Sequence, residues 1–297
     1  MHALVIINPA AGSRRVDRDR VRQQQALAER ALATRATADV RVTERPGHAT
    51  TLARDAVNRG VDLVVVWGGD GTVNEAVQAL AFTGVPLAVV PAGSGNGFAR
   101  ELGIAAQPAR AFAQALEAPS HVLDVGEIGG RLFANLAGVG LDAAIARAFN
   151  ARRGRTHGLA TYAWLSVLEV CRYDASRYTI ELDDETLDER ATLVALANSA
   201  QYGNGARVAP DARPDDGWLD LVVVRAAGPL ATLWRARRLF DGRIADERGV
   251  TMRRVRRVRL TAHGLLHVHV DGEPLDAAGR LDARVHAGAL VVKGGRP

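Results

Sequence analysis

One cysteine, Cys171, and one lysine, Lys293, are all that this 297-residue chain holds of either type. A lone thiol excludes an internal disulfide, and Cys171 is expected to be a small core residue. With no lysine behind any glycine turn, the G-x-x-x-x-G-K-[ST] of a Walker-type nucleotide site is absent. No G-x-G-x-x-G follows the first apolar segment; Ser94–Gly97 imitates it without the acidic ribose ligand, which argues against a dinucleotide-dependent oxidoreductase. No stretch approaches the roughly 20 apolar residues of a membrane span, and the short segment Ala3–Ile7 is no secretory signal. A cytoplasmic protein is expected. Aromatic residues are only 5% of the chain, and none interleaves with the arginines of 14–36 or 253–259. The first run reads as a solvated face and the second as an exposed strand face or a phosphate patch, so no nucleic-acid partner is expected.

What is present suits a folded protein with two cores: 47% hydrophobic and 24% charged residues. The net charge of +5 rests almost wholly on arginine. It suits anionic partners such as nucleotides or lipid headgroups, although an arginine-biased genome accounts for it equally well.

The most informative stretch is Val64–Glu75, VVVWGGDGTVNE. A β-branched run, read as a buried parallel strand, stops at Gly68, Gly69, Asp70 and Gly71, and Thr72-Val73-Asn74-Glu75 is expected to open a helix. Without Cβ atoms the glycines are free to take positive φ and to bring N–H donors close to an anion such as phosphate. The helix N-terminus adds to this attraction. Asp70 beside it would repel a phosphate unless a cation intervened, and Mg²⁺ is the candidate. Glu75 is expected to cap Thr72 in a Thr-x-x-Glu box. A second strand-to-glycine turn follows at Leu87–Arg100, with Gly93, Ser94 and Asn96 in it, and a third at Asn8-Pro9-Ala10-Ala11-Gly12 after the first strand. In a parallel sheet three such loops gather along one edge, where ligands bind.

NPAAG at 8–12, GGDGT at 68–72 and PAGSGNGFARELGI at 91–104 together resemble the diacylglycerol kinase catalytic domain, whose group includes bacterial soluble lipid kinases, sphingosine kinases and ceramide kinases. GGDGT alone is also similar to the motif of NAD kinases and phosphofructokinases. The resemblance implies an α/β N-terminal domain of three layers, NAD kinase/phosphofructokinase-like, over 1–121. A mainly antiparallel β-sandwich would follow over 122–297, with the last strand (about 289–295) packing back on the first domain. Short alternating segments after His121, Val255–Thr261 and Leu265–Val270 among them, agree with a sandwich, interrupted by helices expected at about 142–151, 158–173 and 229–241.

The resemblance also implies ATP lying over Asn8–Gly12, Gly68–Val73 and Gly93–Asn96, with the Thr43 hydroxyl touching the nucleotide. The family's metal loop is matched by the segment from Ala209 to Asp220, where Asp216 with the carbonyls of Arg213 and Trp218 would hold a partly structural Mg²⁺; an Asp-Asp-Gly turn is the alternative. Asp271-Gly272-Glu273 resembles the D-G-E in which the aspartate accepts the substrate hydroxyl proton and the glutamate lies by the nucleotide. On a continuing strand, carboxylates at i and i+2 would share a face and both could look toward the glycine loops; a hairpin turn is the alternative. His267 and His269 read as surface or packing residues.

The activity implied is ATP- and Mg²⁺-dependent phosphorylation of a diacylglycerol-like or sphingoid lipid by a cytoplasmic, transiently membrane-associated enzyme. Its lipid acceptor would lie at a membrane surface, and a homodimer is left open. Gly93-Ser94-Gly95-Asn96-Gly97 lacks the acidic residue of many bacterial diacylglycerol kinases and is closer to sphingosine and ceramide kinases, so the acceptor stays open. An NAD kinase-like or other small-alcohol kinase and a non-catalytic nucleotide or membrane sensor remain as alternatives. The segment 229–241, with Leu230, Leu233, Trp234, Phe240 and three arginines, describes a basic amphipathic helix suited to an anionic membrane. Core packing with solvated arginines is slightly favoured for it.

Overall fold

The computed structural model describes residues 1–12, 17–150, 167–203 and 205–294. The chain divides into two compact units, Met1–Asp124 with Gly288–Pro297, and Val125–Ala287.

Unit 1 alternates strands and helices: β1 (His2–Ile7), α1 (Arg18–Leu32), β2 (Thr37–Val42), α2 (His48–Asn58), β3 (Leu63–Gly68), α3 (Asp70–Leu80), β4 (Leu87–Pro91), α4 (Gly97–Glu101) and α5 (Pro108–Glu117). The strands lie in the order β2-β1-β3-β4 and pair in parallel throughout. Continuous apolar strands are what a sheet covered on both faces requires. Ala3, Val5, Ile7, Leu63, Val65 and Trp67 meet α1 and α5 through Ala28, Leu32 and Phe112. Trp67 and Phe112 pack edge to face, centroids 5.4 Å apart. The alternate positions Leu4, Ile6, Val64 and Val66 are equally buried and point the other way, toward α2 and α3. Each such side chain contributes about 1.5–3 kcal/mol by leaving water.

Unit 2 holds β6 (Arg131–Phe133), β7 (Leu136–Gly140), α6 (Leu141–Asn150), β8 (Ser176–Glu181), β9 (Thr186–Ala197), the short pair β10 (Gln201–Gly203) and β11 (Ala206–Arg207), β12 (Leu219–Arg225), α7 (Pro229–Arg238), β13 (Val250–Val255) and β14 (Arg257–Val270). Strand β5 (Ser120–Ile128) enters it from unit 1, and β15 (Glu273–Lys293) leaves it. The order β13-β12-β9-β7-β14-β15 is antiparallel at every step. The fold class is therefore the expected α/β domain followed by an antiparallel β-sandwich domain. The end of β15 belongs to unit 1, where Val292 pairs with Leu87 of β4 in parallel and Lys293 Nζ donates to the Ala118 carbonyl at 2.9 Å.

Several expectations on element bounds need correction. The two short strands read at 255–261 and 265–270 are one strand, β14, bulged between Thr261 and Leu265 where Gly264 takes a left-handed φ of +90°. Helix α3 begins at Asp70, not Thr72, which puts Gly71 and Thr72 in its first turn. Cys171 is exposed and is no core residue. Of the helix expected over 158–173, residues 158–166 lie outside the described residues and 167–172 are helical.

Candidate active site

The C-terminal ends of β1, β3 and β4 carry the three glycine loops, and hydrogen bonds join the loops to one another. Asn8 N–H donates to the Trp67 carbonyl at 2.9 Å, and its side-chain amide donates to Thr72 Oγ1 at 2.7 Å. Ala92 N–H donates to the Gly68 carbonyl at 2.9 Å. Asp70 Oδ1 accepts from Phe98 N–H at 3.3 Å, which ties the first turn of α3 to the start of α4. Within the loops, Asn8 Oδ1 accepts from Ala10 N–H and Asn96 Oδ1 from Gly93 N–H, so both asparagines shape the turns they stand in.

Two of the glycines are demanded by close approach of backbone to backbone. A Cβ on Gly12, whose φ is +66°, would lie 2.3 Å from the Ala92 carbonyl oxygen, and one on Gly93 would lie 2.8 Å from Gly69 Cα. Gly68, Gly69 and Gly71 do not use positive φ; Gly69 sits at −97°. The expected left-handed turn there is replaced by tight packing of the strand end against α3, where a Cβ on Gly68 would lie 2.7 Å from Thr72 Cβ. Pro9 and Ala11 are buried, Ala10, Gly12 and Ser94 are exposed, and Asp70, Gly69, Gly93 and Asn96 are half-buried. Val73 is buried in α3. Thr43, one residue past β2, donates its N–H to the Ile7 carbonyl at 2.8 Å, beside the first loop.

Glu75 does not cap its own helix. Its carboxylate reaches α2, accepting from Gly47 N–H at 2.8 Å and Ala49 N–H at 3.0 Å. Gly47 offers α2 no side-chain cap, so two of the N–H groups that begin that helix are met by a residue of α3.

In unit 2, Asp271 and Gly272 form the turn between β14 and β15, with φ of +48° and +85°. Two successive positive φ values suit a tight hairpin, and Asp and Gly tolerate them best. The strand therefore does not continue through Asp271, and the expected shared face with Glu273 does not follow from alternation. Asp271 instead points at the chain before β7: Oδ2 accepts from Ala134 N–H at 2.9 Å, and Oδ1 from Asn135 and Leu136 N–H at 3.0 and 2.9 Å. Glu273 and Asp271 are both half-buried.

Asp216 Oδ1 accepts from Trp218 N–H at 3.1 Å, and its other oxygen is paired with the Arg254 guanidinium. Arg254 and Arg256 both stack on the Trp218 ring, at 5.3 and 4.3 Å. Arg213 pairs with Asp215 at 3.3 Å. Among the described residues no three His, Cys, Asp or Glu side chains gather as a metal cluster. Burial pushes the neighbouring Asp220 carboxyl up to about 6, with Arg254 pulling the other way. The sequence reading missed the Arg254 pairing, although R-R-V-R-R marks the strand, and it missed the buried Asp142–His269 pair behind the Asp271 turn.

An α/β unit followed by an antiparallel β unit is a fold also found in solved structures of a diacylglycerol kinase and an NAD kinase. A solved diacylglycerol kinase of Bacillus anthracis str. Sterne matches with a TM-score of 0.75 at 22% identity, over 99% of this chain and 97% of that one. An NAD kinase of Archaeoglobus fulgidus, solved in complex with ATP, matches with a TM-score of 0.55 at 14% identity, over 100% and 94% of the two chains. Residues 2–128 match the diacylglycerol kinase catalytic domain, and 135–293 match the YegS C-terminal NAD kinase beta sandwich-like domain. A Chromohalobacter salexigens protein named probable lipid kinase YegS-like is 35% identical over 79% of this chain and 77% of its own. A Pseudomonas putida relative of the same name is 32% identical over 87% and 86%. The chain belongs to the YegS-like family of lipid kinases carrying the diacylglycerol kinase catalytic domain.

Proposed function

We propose that this protein is an ATP- and Mg²⁺-dependent kinase that moves the γ-phosphate to a hydroxyl of a diacylglycerol-like or sphingoid lipid. It would work in the cytoplasm and visit a membrane transiently. The observation that carries this reading is the bonding of the Asn8, Gly68–Thr72 and Gly93–Asn96 loops into one surface of backbone, in a chain of a lipid kinase family. Such a surface presents N–H donors and the N-terminus of α3 to a polyphosphate without side chains in the way. Asn8 and Thr72 hold the loops in shape, while Ala10, Ala11, Gly12, Gly93 and Ser94 form the face offered to the nucleotide. Thr43 and Glu273 are assigned to the rest of that ligand.

When bound, Mg²⁺ neutralises phosphate charge and aligns the transferred group. Asp70 suits it: the carboxylate is a hard donor, and its Oδ2 approaches the second loop so closely that a Cβ on Gly95 would lie 3.0 Å from it. A second Mg²⁺ on Asp216 and the carbonyls of Arg213 and Trp218 requires Arg254 to share the carboxylate. Asp271 takes the acceptor proton as attack proceeds. Its carboxylate accepts three backbone N–H groups, which fix its orientation, and a carboxylate held in place suits a weak, well-placed base. Positioning and charge neutralisation supply most of such a reaction.

The test is transfer of label from γ-labelled ATP, with Mg²⁺, to mixed micelles of diacylglycerol, monoacylglycerol, sphingosine, ceramide and phosphatidylglycerol, with Asp70→Asn as control. Label in a lipid, lost in the control, is the expected result. Label in NAD alone overturns the lipid acceptor in favour of the small-alcohol alternative, and ATP binding without transfer to any acceptor leaves the sensor.

A further inference from the structure

Helix α7 is built the reverse of a helix packed on a core. None of its ten residues is buried, whereas α1, α2, α3, α5 and α6 each bury at least three. Leu230 and Trp234, at i and i+4 on one face, are 85% and 53% exposed, and Phe240 just past the helix end is 63% exposed. They are three of the eight large hydrophobic side chains found exposed among the described residues, and they fall within eleven positions. Leu233 turns inward, against Leu141, Ile145 and Val170, and Leu239 at the helix end packs against the cluster of Leu136, Ala195 and Val222.

Polar contacts fasten the helix as well. Arg235 donates to the carbonyls of Arg225 and Arg248 at 2.8 and 2.6 Å. Arg238 donates to Glu247 at 2.9 Å and to Asp241 at 3.3 Å. The guanidiniums of Arg237 and Arg238 also lie 5.8 and 5.6 Å from the Trp234 ring centroid. The apolar tips thus stand outward, ringed by cations.

From this we infer that α7 with Phe240 is a membrane-surface anchor, seating Leu230, Trp234 and Phe240 among the chains of a bilayer that carries anionic phospholipid. A tryptophan flanked by arginines suits the headgroup boundary, its ring half in hydrocarbon and the guanidiniums on phosphate. Segment 229–248 carries five arginines against three carboxylates, which complements an anionic surface. A second copy of the chain fits poorly. Three projecting side chains fall short of the roughly 800 Å² per partner that a stable interface buries, and a two-fold contact would set arginines against arginines. The choice of a membrane as partner rests on the lipid-kinase reading, but binding is measured without turnover, so the two fail separately.

The full-length protein is sedimented with vesicles of phosphatidylglycerol mixed with phosphatidylcholine, and with phosphatidylcholine alone. Binding to the anionic vesicles is expected to fall at least tenfold when Leu230, Trp234 and Phe240 are all changed to serine. Arg237→Gln is expected to weaken it about threefold and to flatten its dependence on salt. Should the triple variant misfold, Trp234→Phe keeps the fold testable: brominated phosphatidylglycerol should quench tryptophan emission of the parent protein and much less of this variant. Undiminished vesicle binding by a folded triple variant overturns the inference. So does loss of self-association in the analytical ultracentrifuge with no vesicle binding by the parent, which would make the patch a contact between copies.

Discussion

His269 Nε2 lies 2.8 Å from Asp142 Oδ2, and both residues are buried, at 4% and 6% exposure. Gly272 N–H donates to His269 Nδ1 at 3.2 Å, so the imidazole accepts at Nδ1 and donates at Nε2 to the carboxylate. The pair ties α6 to the turn that carries Asp271. It exists only because position 138 is glycine: a Cβ there would fall 1.7 Å from Asp142 Oδ2 and 2.6 Å from His269 Nε2. Gly138→Ala is expected to cost about 1–3 kcal/mol by forcing the pair apart. His269→Ala takes a hydrogen-bond donor from a buried carboxylate, which keeps the Ala143 N–H, and is expected to cost about 1–3 kcal/mol. Urea unfolding measures both, and a Gly138→Ala protein as stable as the parent would show that the pair does not need that space.

Glu75 links α3 to the start of α2 through two charge-assisted bonds to backbone N–H groups. Glu75→Ala should cost about 1–3 kcal/mol, because Gly47 has no side chain to take over. Glu75→Gln keeps one acceptor oxygen and should fall between the two. Amide exchange at Gly47 and Ala49 should quicken in Glu75→Ala while that of β3 does not. Equal protection at those two amides in parent and variant would rule the cap out.

How far the sequence alone reached depended on how local each determinant is. Apolar strands ending in glycines at 64–72 and 87–97 spelled out a parallel sheet with its loops on one edge, because each strand, turn and helix is encoded within about twenty residues. The same stretch misled on the turn itself. Gly68 and Gly69 are needed for the approach of Thr72 and Gly93, a tertiary reason that resembles a conformational one in a bare sequence. Glu75 three residues after Thr72 fits a capping box, yet its partners stand at 47 and 49. Strand β15 runs through Ala277 and Ala278, which have little strand preference, because Leu266 and Leu265 of β14 pair with them. Asp142 and His269 are 127 residues apart, and no spacing rule joins them.

Glu127 gives an acid-limb prediction. Burial raises its carboxyl, but hydrogen bonds from His286 at 2.6 Å and Arg284 at 2.9 Å outweigh that and hold it below the usual carboxylate range. A carboxylate depressed in the folded state adds stability above its unfolded value, near 4.5, and loses it as pH falls through the lower folded value. The parent should therefore lose stability more steeply than Glu127→Gln on descending through that window. Parallel curves of thermal midpoint against pH for the two proteins would show that the pairing contributes nothing.

The last prediction concerns Asp271, where structure and chemistry meet in one side chain. Both carboxylate oxygens face backbone N–H donors, Ala134 on one side and Asn135 with Leu136 on the other. In Asp271→Asn the amide nitrogen has to oppose one of these donors whichever way it turns, so the variant loses a charge-assisted bond and gains a repulsion, costing about 1.5–3 kcal/mol. Phosphoryl transfer should fall by two orders of magnitude or more, in the range typical of a lost general base, while ATP affinity stays within about threefold. The two effects separate by temperature. Well below the unfolding transition the structural penalty leaves the protein folded, and only the chemical role can then lower the rate. Asp271→Asn with parental turnover under those conditions would remove Asp271 from the reaction and leave it as the residue that pins the β14–β15 turn to the chain before β7.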